Sequence, residues 1–420
     1  MRDIFIEILT TIKHNRLRTA LTGFSVAWGI FILIVLLGAG NGLINATMGN
    51  SSRYLSTSMV VSGGATSKAY DGLGENRDVQ LNDKDFNITS KGFPNNVESV
   101  GAELSQQGET LVNGSDYTTG VKLSGIYPND VEINKRTMIC GRFINELDLK
   151  ERRKSIVISS DMAKELLPQS PLSLNGQIIR TTTLAFRVVG IYESQKNSMG
   201  NDAFIPFTTF RAIYNKGDKT GNIVFSFSNL NSEAENEAFE SVYRARINRQ
   251  HRAAPDDENA IWIWNRFTQA LSMNTATGLL RTALWVIGIL TLISGIVGVS
   301  NIMLITVRER THEFGIRKAI GAKPWSILRL IIIESIVITT FFGYIGMVLG
   351  IAANLYMDAT IGQETIDNGL FAIQMFTNPT VGIDVCVKAT LLMIVAGTLA
   401  GMVPARKAAK IRPIEALRAE

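Results

Sequence analysis

The 420-residue chain has only two cysteines and three histidines, and the dipeptide Gly-Lys occurs nowhere in it. Without Gly-Lys there is no G-x-x-x-x-G-K-[ST] loop to cradle nucleotide phosphates. His14, His251 and His312 stand in three separate regions, which argues against a histidine metal centre. The stretch "HEFGI" (His312–Ile316) lacks the second histidine of a zinc-protease helix, and no G-x-S-x-G nucleophile turn occurs. Cys140 and Cys386 have no spacing that establishes a bridge between them. No cofactor or metal is expected on this chain, which reads as something other than an enzyme.

Charge is missing too, in long runs. Thr19–Ser52 and Thr282–Val307 contain no charged residue, Leu330–Met357 contains one (Glu334), and Ala389–Ala405 contains none. Each run holds the roughly 20 apolar residues that one bilayer crossing needs. Crossings are therefore expected at 19–44, 279–307, 330–357 and 385–405. The first follows a basic lead (Lys13, Arg16, Arg18). Its apolar run exceeds the core of a signal peptide and no A-x-A site follows, so it reads as a retained anchor.

The charges that are present set the topology, because Lys and Arg resist translocation. Residues 1–18, 308–329 and 406–420 carry 4, 6 and 5 basic residues against 2 acidic ones each. Those three segments sum to +9 in a chain of net charge +5, so everything else sums to −4. The 358–384 loop has no Lys or Arg at all. Both termini and the 308–329 segment are thus expected on the cytoplasmic side, and the basic balance needs no nucleic-acid partner.

Ile4, Phe5, Ile8, Leu9 and Ile12 recur at helical spacing, so 1–18 reads as an amphipathic helix on the inner surface rather than a merely basic flank. Residues 45–278 are too long for a loop and should fold as a mixed α+β domain. "SIVISSDMAKELL" (Ser155–Leu167) starts as a strand and turns helical at an N-cap on Ser159 or Ser160, with Asp161 near the positive end. "IIRTTTLAFRVVGIYES" reads as a hairpin, "NDAFIPFTTFRAIY" as strand then helix, and "NIVFSFSN" and "AIWIWNRF" as strands. "TSKAYDGLGENRD" (Thr66–Asp78) is the best candidate for a mobile loop. "RFTQALSMNTATGLLRTALW" passes into the second crossing without proline, as a stiff helix unless Gly278 makes a hinge. Gly346/Gly350 and Gly397/Gly401 have the spacing that lets helices approach closely, for packing within one subunit or between two. The whole is a membrane α-helical protein of four transmembrane helices, with a large mixed α+β extracytoplasmic domain inserted between helices 1 and 2.

One segment asks for more explanation. Between the second and third crossings, 308–329 carries Arg308, Arg310, Arg317, Lys318, Lys323 and Arg329, punctuated by Gly315 and Gly321. Residues 308–323 can form a helix that Gly321 ends, with Pro324 as the first residue of the next. Composition leaves two readings open: a docking helix, or basic residues obeying the positive-inside rule. Glu334 lies just over one turn from Arg329 near the inner interface and reads as structural.

The stretch "NIMLITVRERTHEFGIRKAIGAKPWSILRLIIIES" resembles the signature of the MacB/FtsX family of ABC-transporter permeases. "GMVPARKAAKIRPIEALRAE" resembles the same family's C-terminal motif. "NRLRTALTGFSVAWGIFILIVLLGAGNG", "GRFINELDLKERRKSIVISSDMAKELL" and "FRVVGIYES" with "NDAFIPFTTF" also fit, so the likeness covers nearly the whole chain. It implies an inner-membrane permease whose coupling helix rests on a cytoplasmic P-loop ATPase. Arg308, Glu309, Arg310, Glu313, Gly315, Ile316, Arg317, Gly321 and Ala322 would form that contact. It also implies a second permease copy, in a homodimer or heterodimer, and ATP with Mg on the partner ATPase. In MacB itself the ATPase precedes the permease on one polypeptide; here it is expected on a separate chain, as in the LolCDE lipoprotein extractor. A MacB-like exporter would further work with a periplasmic adaptor and a TolC-like outer-membrane channel. The alternatives are a LolC/LolE-like lipoprotein-releasing permease and an FtsX-like regulator of a cell-wall hydrolase.

Overall fold

The computed structural model describes residues 16–51, 53–181, 184–194, 201–361, 366–367, 372–373 and 376–410. The amphipathic helix expected over 1–18 lies almost wholly outside the described residues, as does residue range 411–420 of the tail. The chain divides into two compact units, one of residues 1–47, 275–365 and 374–420, the other of residues 48–274 and 366–373.

The first unit is helical. Its long elements are α1 (Arg16–Ser51), α8 (Arg266–Glu309), α10 (Pro324–Thr360) and α11 (Ile383–Lys410), with the short α9 (Thr311–Ala319) between α8 and α10. The four long helices are each long and apolar enough to cross a membrane. They run past the charge-free stretches at their ends, because helix continues beyond the apolar stretch. α8 is unbroken through Gly278, so the hinge considered there is not present. Val26, Ile30, Ile34, Leu292, Val299, Met347, Met393 and Ala400 share one core.

Backbones approach closely where the sequence places glycine. A Cβ on Gly346 would stand 2.2 Å from the carbonyl oxygen of Ala27, and Gly350 faces Ile34 and Phe31. Gly397 faces Ile336 and Thr339, and Gly401 faces Ile332 and Ser335. Ser335 Oγ donates to the Gly397 carbonyl at 2.8 Å, and Asn354 Nδ2 donates to the Ile34 carbonyl at 2.9 Å. Both small-residue pairs are therefore used within one copy of the chain, α10 against α1 and α11 against α10. Close packing and interhelical hydrogen bonds hold such helices together where lipid supplies no hydrophobic drive.

The second unit is built on a ten-stranded mixed sheet in the order β10-β1-β9-β2-β3-β8-β5-β7-β4, with β6 pairing β2 and β7. The strands are β1 (Ser58–Gly63), β2 (Val97–Asn113), β3 (Asp116–Ile126), β4 (Met138–Gly141), β5 (Ser155–Ser159), β6 (Ile178–Arg180), β7 (Ala185–Tyr192), β8 (Asn201–Pro206), β9 (Asn222–Phe227) and β10 (Ile261–Asn265). Six short helices accompany them: α2 (Asp83–Gly92), α3 (Asp130–Ile133), α4 (Glu146–Lys150), α5 (Ser160–Leu166), α6 (Phe207–Ile213) and α7 (Glu233–Gln250). Two main cores result. One holds Met59, Val61, Phe225, Phe239, Tyr243 and Ile261; the other holds Val121, Ile156, Ile158, Phe186, Val188 and Phe210.

Local chemistry explains the elements. Ser159 caps α5, its hydroxyl accepting from the Met162 N–H, so of the two candidate serines the first is the cap. β6 and β7 pair Ile178 with Arg187 and Ile179 with Phe186, the expected hairpin. β10 turns Ile261 into the core and Trp262 and Trp264 outward. The Thr66–Asp78 loop is tied down, contrary to the sequence expectation. Asp257, itself buried, accepts from the Ser67 and Lys68 N–H groups and the Ser67 hydroxyl, and Arg252 pairs with Asp71. The partners lie about 180 residues downstream, where no local pattern reveals them.

Asp148 anchors α4. Its fully buried carboxylate takes two hydrogen bonds from Arg142 at 2.5 and 3.0 Å, and others from the Asn145 N–H and the Ser155 hydroxyl. Burial pushes its pKa up, but these donors outweigh it and hold it below the usual carboxylate range. A depressed folded pKa stabilises above the unfolded value, and the stabilisation is lost as pH falls through the folded one. Asp148→Ala, which removes the acceptor of the bonds from Arg142, the Asn145 N–H and the Ser155 hydroxyl, should destabilise the unit by about 2 kcal/mol in urea titrations at neutral pH. The gap between native and variant should narrow as pH falls below the usual carboxylate range. In the helical unit, Gly346→Ile should cost about 1–3 kcal/mol by forcing α10 off α1. Gly278→Ala, where a Cβ meets nothing within 4 Å, should be neutral or stabilising by up to about 1 kcal/mol. Thermal unfolding in detergent measures both.

Candidate functional site

The turn from α8 into α9 is nearly continuous: Arg310 N–H donates to the Thr306 carbonyl, and Phe314 N–H donates to Arg310. The helix expected over 308–323 is therefore split, with Arg308 and Glu309 closing α8 and α9 covering Thr311–Ala319. Gly321 ends it as expected, at φ +99. Its N–H donates to Lys318 and the Ala322 N–H donates to Arg317, the paired bonds of a left-handed helix cap that glycine tolerates best. Pro324 then begins α10, where its missing N–H costs nothing.

The inward side of α9 is fixed by packing and charge together. Phe314 is 1% exposed, in the same core as Met303, Val307, Ile327, Leu330 and Ile331, and Gly315 beside it is buried. Arg310 lies over the Phe314 ring, its guanidinium carbon 5.2 Å from the centroid. The same guanidinium pairs with Glu313 through Nε at 2.8 Å and Nη2 at 3.2 Å, and reaches Glu334 on α10 through Nη1 at 3.4 Å. Arg317 closes the group on Glu313 at 2.7 Å. The hydrogen bond from Arg310, helped by the charge of Arg317, holds the Glu313 carboxyl below its ordinary pKa. Among the described residues, Arg310 and Arg317 thus share Glu313, and Arg310 also reaches Glu334. Lys318 donates to the Ala409 carbonyl at 2.6 Å and so ties α9 to the end of α11, where a cation suits the negative helix terminus.

The outward side is different. Ile320 is 83% and Trp325 is 70% exposed, with Ile316 also exposed among Arg308, Glu309, His312 and Lys323. Ile316 and Ile320, four positions apart, share one side of the helix end, and Trp325 is exposed just past the turn.

The nine residues expected to form one contact fall into two groups. Arg308, Glu309, Ile316 and Gly321 are exposed. Arg310, Glu313 and Arg317 make the ion-pair cluster, Gly315 is buried, and half-buried Ala322 completes the cap. Ile320 stood among the apolar residues of the expected helix; Trp325, whose signal was a bulky apolar residue just past the Gly321–Pro324 break, did not. Glu334, expected to be structural, is 5% exposed and meets Arg310, 24 positions earlier.

Residues 19–242 match the family described as MacB-like periplasmic core domain, and residues 285–413 match FtsX-like permease C-terminal. The macrolide export ATP-binding/permease protein MacB of Chlorobaculum tepidum is 27% identical over 99% of this chain and 61% of its own length. The ABC transporter permease YknZ of Bacillus subtilis is 25% identical over 98% of both chains. Among solved structures, the periplasmic region of MacB from Actinobacillus actinomycetemcomitans superposes with a TM-score of 0.43 at 19% identity, covering 54% of this chain and 96% of that one. The chain thus spans about three fifths of the length of the MacB relative and nearly all of the permease YknZ. It belongs to the MacB/FtsX family of ABC-transporter permeases.

Proposed function

We propose that the chain is the permease subunit of a MacB-type ABC transporter, and that α9 is the coupling helix on which a separate cytoplasmic P-loop ATPase acts. The observation that carries this reading is the division of α9 into a clamped inner side and an apolar outer knob. Ile316, Ile320 and Trp325 supply the bulky apolar contact that typically dominates a protein interface, and their charged rim supplies orientation. Arg310, Glu313 and Glu334 make α9 move with α10 rather than slide on it.

In this reading two permease copies sit in the bacterial inner membrane with termini in the cytoplasm and the sheet domain in the periplasm. ATP and Mg bind to the partner ATPase. Its closure pushes α9, and α8, helical without a break over 44 residues, carries the displacement outward. Substrate leaves on the periplasmic side toward an adaptor and an outer-membrane duct. The described parts of the four long helices bury one carboxylate, Glu334, and its partner is Arg310. That arrangement suits a machine whose cargo does not cross between the helices.

Crosslinking of intact membranes followed by capture of the chain tests the reading. The native chain should retain a P-loop ATPase; Gly315→Pro, which breaks α9, should lose it. Ile320→Asp and Trp325→Asp should each weaken capture by about tenfold or more without changing the amount of folded permease. Capture that survives all three changes would refute α9 as the docking element. Glu334→Ala should act differently, lowering thermal stability by about 2–3 kcal/mol because a buried guanidinium loses a partner.

A further inference from the structure

Arg266, the first residue of α8, breaks three local rules at once. It is 7% exposed. A cation at the first helical position opposes the helix dipole. Among the described residues no carboxylate pairs with it, and its Nε has no hydrogen-bond partner. A guanidinium keeps its charge at neutral pH even when buried. A well-packed apolar residue in such a position usually serves stability better than a buried charge. A residue that defies local preference without a stabilising return marks a site under another constraint.

Its contacts identify that constraint. The guanidinium carbon lies 4.1 Å from the Tyr54 ring centroid and 5.0 Å from that of Trp264, and the two rings meet edge to face. Nη1 donates to the Ser58 hydroxyl and to the Ile133 carbonyl, which also accepts the Leu55 N–H at 2.8 Å. Nη2 donates to Asn134 Oδ1 at 3.0 Å. One planar fork therefore joins the segment just after α1, the start of α8 and the end of α3. Lysine has no such fork.

From Asn134 the polar contacts continue. Its Nδ2 donates to Asp130 at 2.5 Å, and Asp130 accepts from Arg136 Nε at 2.6 Å. Arg136 lies over the Phe204 ring at 4.0 Å, against a core of Ile126, Phe143, Val157 and Tyr192. We propose that Arg266 is a positioning residue for transport, which clasps the chain leaving α1 to the start of α8 and passes the state of that junction through Asn134, Asp130 and Arg136 to the core around Phe204. This rests on the permease reading, since it assigns to Arg266 the step between helix movement and the outer domain.

The test uses the full chain with its own partners, in membrane vesicles from cells that make it. Nitroxides are placed at Ser272→Cys and Glu165→Cys, both exposed positions, in a background with Cys140→Ser and Cys386→Ser. The distance between them is compared in nucleotide-free vesicles and with Mg-ATP and vanadate. A nucleotide-dependent shift in the parent background, lost in both Arg266→Gln and Asn134→Ala while ATPase capture and thermal midpoint stay unchanged, is the expected result. Asn134→Ala leaves the aromatic clasp intact, so it keeps the test valid should Arg266→Gln fold poorly. A shift that persists in Asn134→Ala overturns the relay. No shift in the parent overturns the relay alone if the ATPase is captured, and the permease reading with it if the ATPase is not.

Discussion

Much of the geometry around α9 depends on one guanidinium. Arg310 must leave the apolar end of α8, yet its neighbours Val307 and Phe314 are drawn into the helix core. The cation cannot simply extend into water without pulling α9 away from that core. It is instead neutralised where it stands, by Glu313 one turn along α9 and by Glu334 on α10. Removing either carboxylate would leave a buried charge short of a partner, which is far costlier than the pair is worth intact. The cluster therefore fixes geometry more than it adds stability. With Phe314 inward, Ile316 and Ile320 have only the outside to face.

The helix packing follows a related economy. Lipid is as apolar as leucine, so burying aliphatic side chains between helices gains little over leaving them in the bilayer. Contact has to come from close approach and from polar groups that lipid cannot satisfy. Gly346, Gly397 and Gly401 provide the first. Ser335 and Asn354 provide the second, each donating to a carbonyl of a neighbouring helix. The large aliphatic residues left over, such as Leu290, Leu349 and Leu399, are exposed along the helices, as a lipid-facing surface allows.

What the sequence made legible and what it hid divide along the same physical line. The four apolar helices, the Gly321 stop, the Pro324 start and the Ser159 cap are local: each is decided by residues within a few positions of one another. The strands of β5, β7, β9 and β10 were readable for the same reason. The order of the sheet was not, because β1 at Ser58–Gly63 pairs with β10 at Ile261–Asn265, some 200 residues away. The Thr66–Asp78 loop looked mobile by composition and is held by Asp257, whose partners no period or spacing announces. At the candidate site the nine named residues lie in or beside α9, yet their division into inner and outer groups depended on Glu334. Its isolation in an apolar run was visible; its partner was not.

Arg310 and Arg266 are both largely buried cations, and the contrast between them bears on mechanism. Arg310 meets the carboxylates of Glu313 and Glu334, so its surroundings favour one arrangement strongly and α9 keeps a fixed relation to α10. Among the described residues Arg266 meets ring faces, a hydroxyl, an amide and a carbonyl. Neutral partners hold a guanidinium less tightly than carboxylates do and allow it to exchange one acceptor for another at small cost. A rigid joint belongs where force enters, since a compliant one would absorb the displacement. A joint of neutral partners belongs where two chain segments must shift without parting. The two arginines have the partners that the proposed coupling and positioning roles require.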